Sequence, residues 1–266
     1  MATSSTAAGK TIVITGGAGG LGKAVASAFL SAGANVAIFD VNADRLRETS
    51  AEWEAKHGAA DKFLATQTDI TDEAAVDGFF AAVVARFGRV DMLINNAGVM
   101  DKFDPAGTTA LDTWDRVIGV NLTGAYLCTR AAVNAFEAQS PAGGTILSIC
   151  SVASVRGLNA GAAYTASKHG LLGLVRNTAS FYGPRKIYSI AFLMGGMDTN
   201  IIDVFATGFN EDGMGAMQKA NPGFVVGETN VQLADVAKYC LFYSDPAIAE
   251  SSNGTTVTIS KNWPSV

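Results

Sequence analysis

The stretch TGGAGGLG, from Thr15 to Gly22, directly follows the apolar run TIVI at 11–14 and directly precedes an amphipathic segment that begins at Lys23. This order predicts a strand, a tight glycine turn and a helix start, an arrangement that presents backbone N–H groups to a pyrophosphate. Glycine is needed there because a Cβ would hold the ligand off the backbone. A flexible loop would explain the glycines but not the flanking strand and helix. The stretch therefore predicts a dinucleotide-binding turn.

The next apolar run ends at Asp40, about 20 residues beyond the turn. A carboxylate at this place accepts hydrogen bonds from the adenosine ribose hydroxyls and repels a 2′-phosphate. The residues that follow, Val41 and Asn42, offer no cation to hold such a phosphate. NAD is therefore the predicted cofactor, in preference to NADP. A helix N-cap or a loop acid is the alternative role for Asp40.

The composition is typical of a compact globular protein. The chain has 266 residues, of which 48% are hydrophobic and 16% charged, and its net charge is −5. Acidic charge and the lack of a long apolar run argue against nucleic acid and membrane as partners. The three cysteines form no Cys-x-x-Cys pair, which predicts reduced thiols and therefore a cytoplasmic protein. The two histidines do not have the spacing of metal ligands, so no metal site is predicted.

Short apolar runs alternate with helix-like segments along nearly the whole chain. The runs predict strands at 11–15, 35–40, 62–67, 90–94, 144–150, 186–192 and 255–260. The segments between them predict helices at 21–32, 42–57, 72–87, 111–138, 161–182, 201–219 and 232–243. Because the runs are almost continuously apolar, the strands are expected to be covered on both faces. The pattern predicts an α/β fold: a doubly wound parallel sheet of about seven strands with helices on both faces. It forms a single domain over 11–266 after a flexible N-terminal tail over 1–10.

Residues 194–227 interrupt this alternation. The segment is rich in glycine, methionine and phenylalanine, and Gly208, Gly213 and Gly215 weaken the helix predicted there. It follows the sixth predicted strand and therefore lies at the carboxyl edge of the sheet, where ligands bind. One interpretation is an ordinary amphipathic helix with loops. The other is a mobile flap whose apolar side chains close over a substrate.

Tyr164 and Lys168 stand four positions apart in a helix-like run, so both side chains lie on one helix face. A phenol is a poor acid–base group at neutral pH, and a neighbouring ammonium favours its anion. Ser151 ends the fifth predicted strand at the carboxyl edge, where its hydroxyl could hold a carbonyl oxygen. Each of these three residues could be incidental when taken alone.

Taken together and in this order, the motifs resemble the short-chain dehydrogenase/reductase family over essentially the whole chain. The turn at 15–22, the sequence NNAG at 95–98 and the acid Asp69 after the third predicted strand match that family's pattern. The resemblance also implies a catalytic tetrad, which consists of Asn121, Ser151, Tyr164 and Lys168.

The resemblance implies a cofactor site and a mechanism. Its cofactor-binding residues are Gly16, Gly20, Leu21, Gly22, Asp40, Asp69, Ile70, Asn96, Ala97, Gly98, Tyr164, Lys168 and Thr199. Tyr164 is expected to exchange a proton with the substrate oxygen, and Ser151 to stabilise charge that develops on it. Lys168 is expected to lower the pKa of Tyr164 and to hold the nicotinamide ribose, and Asn121 to position Lys168 through a water.

Two segments depart from the family's pattern. The family usually has Pro-Gly after the sixth strand, followed by a threonine that contacts the nicotinamide. Here Gly195 and Gly196 precede Thr199 without a proline, which predicts a looser backbone. Near the end, the chain has SKNW at 260–263 where the family tends towards Gly-Gly before an aromatic residue. The family implies a homo-oligomer, a dimer or tetramer, and this tail often lies in its interface.

The substrate class follows from the character of the flap. Its apolar side chains, with Arg156 as the nearby candidate cation, favour a fairly hydrophobic, uncharged secondary alcohol or ketone, cyclic or aromatic. The alternatives are a 3-oxoacyl thioester reductase and a non-redox protein that binds a dinucleotide on the same fold. Asp101, Lys102 and Asp104 are expected to form a solvated loop that borders the site.

Overall fold

Strands and helices alternate along the chain in the computed structural model, which describes residues 6–57, 61–223, 225 and 228–264. The strands are β1 Thr11–Thr15, β2 Asn35–Asp40, β3 Phe63–Gln67, β4 Met92–Asn95, β5 Gly144–Ser151, β6 Ile187–Met194 and β7 Thr256–Ile259. The α-helices are α1 Gly20–Ser31, α2 Ala43–His57, α3 Glu73–Phe87, α4 Leu111–Ile118, α5 Ala125–Ala138, α6 Ala162–Tyr182, α7 Glu211–Ala220, α8 Leu233–Phe242 and α9 Pro246–Ser251. A π-helical turn lies at Gly119–Gly124, and 3₁₀ turns lie at Val152–Ser154, Gly183–Arg185 and Asn200–Thr207.

The strands form one parallel sheet, in which the described residues contribute seven strands in the order β3-β2-β1-β4-β5-β6-β7. Successive side chains of β1 point to opposite faces: Ile12 and Ile14 join one core with Phe29 of α1, and Val13 joins the other with Phe136 of α5. The chain passes from β3 on one side of β1 to β4 on the other, so a crevice opens at the carboxyl ends of β1 and β4. The predicted doubly wound α/β fold is confirmed.

Two predicted helices are divided in the structure. The helix predicted at 111–138 consists of α4, the π-helical turn and α5. The helix predicted at 201–219 is the 3₁₀ turn Asn200–Thr207 followed by α7. Gly208 ends the first at a φ of 91°, and the side chain of Asn210 caps the second by accepting the Gly213 N–H at 2.8 Å. The short helix α9 was not predicted, and the other predicted bounds agree with the observed ones to within two residues.

Residues 6–10 pack against the body of the protein, although the sequence predicted a flexible tail over 1–10. Ala7 is fully buried, and the Gly9 N–H donates to the Gly33 carbonyl at 3.0 Å. The Lys10 ammonium donates to the Ser244 carbonyl, which ties the segment to the residues after α8. The remainder of the predicted tail, residues 1–5, lies outside the described residues.

All three cysteines, Cys128, Cys150 and Cys240, are buried free thiols, as the sequence predicted. Burial raises the pKa of Cys150 to about 11 and that of Cys240 to about 12, so both are neutral at physiological pH. No group of three or more potential ligands is placed to hold a metal ion among the residues that the structure covers. None of the helices in the described ranges has the length and hydropathy that crossing a bilayer would require.

Candidate active site

The turn between β1 and α1 requires glycine at particular positions. Gly16 has a φ of +63°, which favours glycine, and a Cβ at Gly22 would lie 2.2 Å from the Gly16 carbonyl oxygen. Gly22 therefore allows α1 to pack against the turn and does not line the adjoining cleft. Gly16, Gly20 and Leu21 do line it, so the turn presents its backbone to the cleft.

The side chains of Thr15, at the end of β1, and of Asn96, directly after β4, hold the turn in this shape. The Asn96 amide donates to the carbonyls of Thr15, at 2.9 Å, and of Gly16, at 3.1 Å. In return, the Thr15 hydroxyl accepts the backbone N–H groups of Asn96 and Ala97, at 3.0 and 2.8 Å. Sequence reasoning placed Thr15 in the motif without a role, whereas the structure shows that it joins the two strands at the crevice.

Asp40 stands at the carboxyl end of β2, beside the turn. Its carboxylate accepts the N–H groups of Ala18, at 3.3 Å, and of Asn42, at 3.0 Å. Asp69 follows β3, and its Oδ1 accepts both the N–H and the hydroxyl of Thr71 at 2.8 Å. Both acids line the cleft at the end where the sequence predicted the adenosine half of a dinucleotide.

A cleft of about 990 Å³ runs along the carboxyl edge of the sheet. Of the predicted site residues, it is lined by Gly16, Gly20, Leu21, Asp40, Asp69, Ile70, Asn96, Ala97, Gly98, Ser151, Tyr164, Lys168 and Thr199. Lining residues that sequence reasoning missed include Arg45, Met100, Phe103, Arg116, Asn200, Asn221 and Trp263. The volume stands at the upper end for ligand pockets, and the glycines of the turn leave backbone N–H groups open to a pyrophosphate. The residues present therefore fit a nicotinamide dinucleotide.

Ser151, Tyr164 and Lys168 meet at one place in this cleft. Tyr164 and Lys168 lie on the same face of α6, with the Lys168 ammonium 5.5 Å from the centre of the Tyr164 ring. The ammonium donates to the Ile149 carbonyl at 2.9 Å, so β5 holds it in place. Ser151 ends β5, and its hydroxyl accepts the Ala153 N–H at 3.1 Å.

Burial controls the protonation of both groups on α6. It raises the pKa of the Tyr164 phenol well above its ordinary value, and a hydrogen bond with the Ser151 side chain opposes this only in part. Burial also lowers the pKa of Lys168. Sequence reasoning expected Lys168 to lower the pKa of Tyr164, whereas in the structure desolvation outweighs any such effect. Tyr164 is therefore a neutral phenol at physiological pH, able to give up a proton.

Asn121 lies in the π-helical turn between α4 and α5, where such irregular turns often serve a site. It is 1% exposed and does not line the cleft. Its amide accepts the Val99 N–H at 2.8 Å and donates to the Val99 carbonyl at 2.9 Å and to the Ser167 hydroxyl at 3.1 Å. Asn121 thus joins the loop after β4 to the helix that carries Lys168.

The segment after β6 is paired, not loose, despite the missing proline. The Gly195 N–H donates to the Ile259 carbonyl at 3.0 Å, and the Gly196 carbonyl accepts the Val231 N–H at 2.8 Å. A Cβ at Gly195 would lie 2.8 Å from the Trp263 carbonyl oxygen, so glycine admits the C-terminal residues here. Trp263 itself lines the cleft, a role for this tail that the sequence analysis did not predict.

The next part of this segment, residues 200–220, is called the lid below. It is hydrogen-bonded to the loop after β4. The backbone N–H of Asn210 donates to the Lys102 carbonyl at 2.8 Å, and its side-chain amide donates to Asp104 at 3.0 Å. The rings of Phe103 and Phe205 lie 5.5 Å apart. Of the candidate flap 194–227, residues 224, 226 and 227 lie outside the described residues.

The sequence predicted Arg156 as the cation near the substrate, but other cations line the cleft. Arg156 does not line it, whereas Arg45, Arg116 and Lys168 do among the described residues. Arg45 forms an ion pair with Asp203 of the lid at 3.2 Å, and Arg116 donates to the Met100 carbonyl at 2.9 Å. Both guanidinium groups are thus engaged by the protein itself.

Comparison with known proteins gives one consistent result. Residues 10–207 match the sequence profile of the family described as short chain dehydrogenase. The short chain dehydrogenase/reductase dpchG of Colletotrichum higginsianum (strain IMI 349063) is 43% identical over 260 residues, which cover 97% of this chain and 95% of that protein. The solved structure of levodione reductase superposes with a TM-score of 0.82 at 27% identity, covering 96% of this chain and 97% of that one. The 3-ketoacyl-(acyl-carrier-protein) reductase of Brucella melitensis, solved in complex with NADH, gives 0.80 at 27% identity, covering 96% and 98%.

The family profile covers most of the chain, the relative matches along nearly its full length, and the cleft brings Ser151, Tyr164 and Lys168 beside the glycine turn. The protein is an oxidoreductase of the hydride-transferring kind that binds a nicotinamide dinucleotide. The chain belongs to the short-chain dehydrogenase/reductase family.

Proposed function

We propose that the protein is an NAD-dependent oxidoreductase that interconverts a secondary alcohol and a ketone, with a fairly hydrophobic cyclic or aromatic substrate. One observation carries this proposal: Ser151, Tyr164 and Lys168 share a single cleft with the glycine turn and with the apolar side chains of the lid. Neither a thiol nor a metal is needed for such chemistry, because the hydride moves to or from the cofactor.

Bound NAD supplies the hydride acceptor in oxidation, and its reduced form supplies the donor in reduction. The protein's own groups handle the proton and the substrate oxygen. In reduction, the neutral Tyr164 phenol donates its proton to the carbonyl oxygen, and the Ser151 hydroxyl stabilises the charge that develops there. Lys168, held by the Ile149 carbonyl, places its ammonium beside the phenol and favours the phenolate that remains.

The choice of NAD over NADP is supported by Asp40. Its carboxylate stands at the end of β2 and lines the cleft, so it would repel a phosphate on the adenosine ribose. The side chain that follows, Val41, is 60% exposed and uncharged. Arg45 is the nearby cation, and it already pairs with Asp203.

The substrate class is supported by the apolar side chains that line the cleft around the lid. Those contributed by the lid and the loops around it are mostly apolar or sulfur-containing: Met100, Phe103, Val204, Phe205, Met214 and Met217. Apolar surface of this kind stabilises a bound hydrocarbon skeleton by about 25 cal/mol per Å² removed from water. A charged substrate would need a free cation, whereas Arg116 already donates to the Met100 carbonyl.

A panel of substrates tests the proposal. Purified protein with NADH should reduce 1-tetralone or acetophenone, with NADH consumption read at 340 nm in a matched reaction without ketone as the control. The solved neighbour named as a 3-ketoacyl-(acyl-carrier-protein) reductase supports the alternative, reduction of a 3-oxoacyl thioester. Faster turnover of an acetoacetyl thioester than of any plain ketone would favour that alternative. Binding of NADH with no turnover of either class would indicate a non-redox protein.

The lid gives a prediction about substrate affinity. Phe205→Ala and Met214→Ala should each raise KM for the ketone by roughly three- to tenfold, because losing one apolar side chain that a bound ketone would cover costs about 1 kcal/mol or somewhat more. KM for NADH should change less than twofold, which steady-state kinetics with each substrate varied in turn will measure. Phe181→Ala is the matched control, since Phe181 is 69% exposed and lies outside the cleft. Unchanged ketone KM in both lid variants would remove the main support for a hydrophobic substrate.

Two further features remain predictions. The homo-oligomer, a dimer or tetramer, is inferred from the family, and sedimentation of the purified protein will measure its mass. The cytoplasmic location is inferred from the reduced, buried cysteines. Microscopy of a tagged protein will test that location.

A further inference from the structure

Asp101 lies in the loop after β4, which the sequence predicted to be solvated, and that prediction is wrong for this residue. Only 1% of Asp101 is exposed. Its carboxylate accepts three backbone N–H groups: those of Phe103 at 3.2 Å, Gly161 at 3.0 Å and Tyr164 at 2.8 Å. Two of these belong to the start of α6, on a different part of the chain.

The start of α6 depends on this contact. The N-cap residue of α6 is Gly161, which has no side chain with which to cap the helix. Asp101 supplies the missing acceptor from outside, and its negative charge sits at the positive end of the helix dipole. A Cβ at Gly161 would lie 2.6 Å from the Asp101 carboxylate, so the glycine is what lets the acid approach. Another bond from the same loop, the Ala162 N–H to the Asp104 carbonyl at 2.9 Å, strengthens the attachment.

Starting from the function proposed above, we propose that Asp101 is a positioning residue of the active site, which caps α6 from the neighbouring loop and places the Tyr164 phenol beside Ser151 with a fixed negative charge nearby. The bond from Asp101 reaches the backbone of the very residue that exchanges the proton, so a shift in the cap moves the phenol directly. Asp101 itself touches neither the cleft nor the reacting atoms.

The charge of Asp101 also acts on Tyr164. Burial is the main cause that raises the pKa of the phenol, the Ser151 hydroxyl of β5 lowers it, and Cys150 of β5 and Asp101 raise it further. Lys168 of α6 faces the same ring. Because Cys150 is a neutral thiol at physiological pH, Asp101 is the fixed negative charge among these groups. Removing it should make the phenol easier to deprotonate, and alcohol oxidation requires the deprotonated form.

The test compares Asp101→Asn and Asp101→Ala with wild type in the oxidation of 1-tetralol by NAD, followed from pH 6 to 10. Both variants should lose roughly tenfold in kcat, with KM for NAD within about twofold of wild type. With reduction of 1-tetralone measured alongside, the ratio of kcat for oxidation to kcat for reduction at each pH should be higher in both variants than in wild type, because the phenolate forms more readily once the charge is removed. Asp115→Asn is the matched control, because this acid is exposed on α4, does not line the cleft and does not act on the pKa of Tyr164. It should keep the wild-type ratio at each pH.

The outcomes separate this proposal from the proposed function. No turnover of any alcohol or ketone by wild type would defeat the proposed function, whereas wild-type rates and a wild-type ratio of oxidation to reduction in both Asp101 variants would defeat the positioning role alone. Loss of thermal stability without a change in the ratio of oxidation to reduction would make Asp101 a purely structural cap. If neither variant folds, hydrogen exchange of the Gly161 amide is measured in the wild-type protein. Slow exchange supports the bond to Asp101 that caps α6, and free exchange would show that this cap does not form.

Discussion

Replacing Tyr164 with phenylalanine should reduce turnover by roughly 10² to 10⁴ while cofactor binding is retained, which is the range for losing a positioned acid–base group. The side chain is buried at the meeting point of Ser151 and Lys168, so no bulk water replaces the lost hydroxyl. Stopped-flow or steady-state turnover of 1-tetralone, together with calorimetric titration of NADH, will measure both effects.

Tyr182→Phe is the matched control for that result. Tyr182 ends the same helix, α6, loses the same single oxygen and does not line the cleft, so its variant should keep wild-type turnover. Near-normal turnover in Tyr164→Phe would mean that the proton comes from another group. If Tyr164→Phe lost NADH affinity but kept its turnover, Tyr164 would be a cofactor-binding residue and not the proton donor.

The raised pKa of Tyr164 also sets a direction for the pH dependence. Reduction needs the protonated phenol, which burial preserves at neutral pH, so kcat for ketone reduction should be nearly constant from pH 6 to 8. Oxidation needs the phenolate, so its rate should rise with pH throughout the same range. In Tyr164→Phe, the rise in oxidation should disappear. Parallel pH profiles of the two directions in wild type would show that a different group controls the rate.

The sequence sufficed for the fold because each signal was local. Strands such as β1 are buried along their whole length, so each appears in the sequence as a continuous apolar run. The glycine turn joins such a strand to a helix within a few residues. Tyr164 and Lys168 were placed on one face by helix periodicity alone. These predictions needed no knowledge of which distant residues meet.

The remainder of the site depended on contacts between segments far apart in sequence. Asp101 was predicted to be solvated because it stands in a polar loop, and nothing local shows that Gly161, sixty positions later, needs an acceptor. Gly195 was read as a loose substitute for proline, although its lack of a side chain admits Trp263. The helix predicted at 201–219 failed at Gly208 and Asn210, whose turn and cap chemistry was visible but was outweighed by the surrounding pattern.

The second large effect concerns the choice of cofactor. Wild type should prefer NAD over NADP by at least about tenfold in kcat/KM, equivalent to roughly 1.4 kcal/mol. The double variant Asp40→Ser/Val41→Arg should shift this ratio by roughly 100-fold towards NADP, because it removes a repelling charge and adds an attracting one. Serine keeps an oxygen that can accept the Asn42 N–H, which now binds Asp40, so the turn should survive.

Arg45 is the residue that could defeat this argument, since it lines the cleft as a cation that sequence reasoning overlooked. Its guanidinium points to Asp203 at 3.2 Å, and both side chains are substantially exposed, so the pair is weak and could yield to a phosphate. Arg45→Ala is therefore made in parallel, and it should leave the ratio of NAD to NADP efficiency within about threefold of wild type, or about 0.7 kcal/mol. If wild type used both cofactors equally and Arg45→Ala lost NADP activity selectively, Arg45 would hold the phosphate and outweigh Asp40. A ratio that follows Asp40 and ignores Arg45 would show that repulsion at the end of β2 makes the choice.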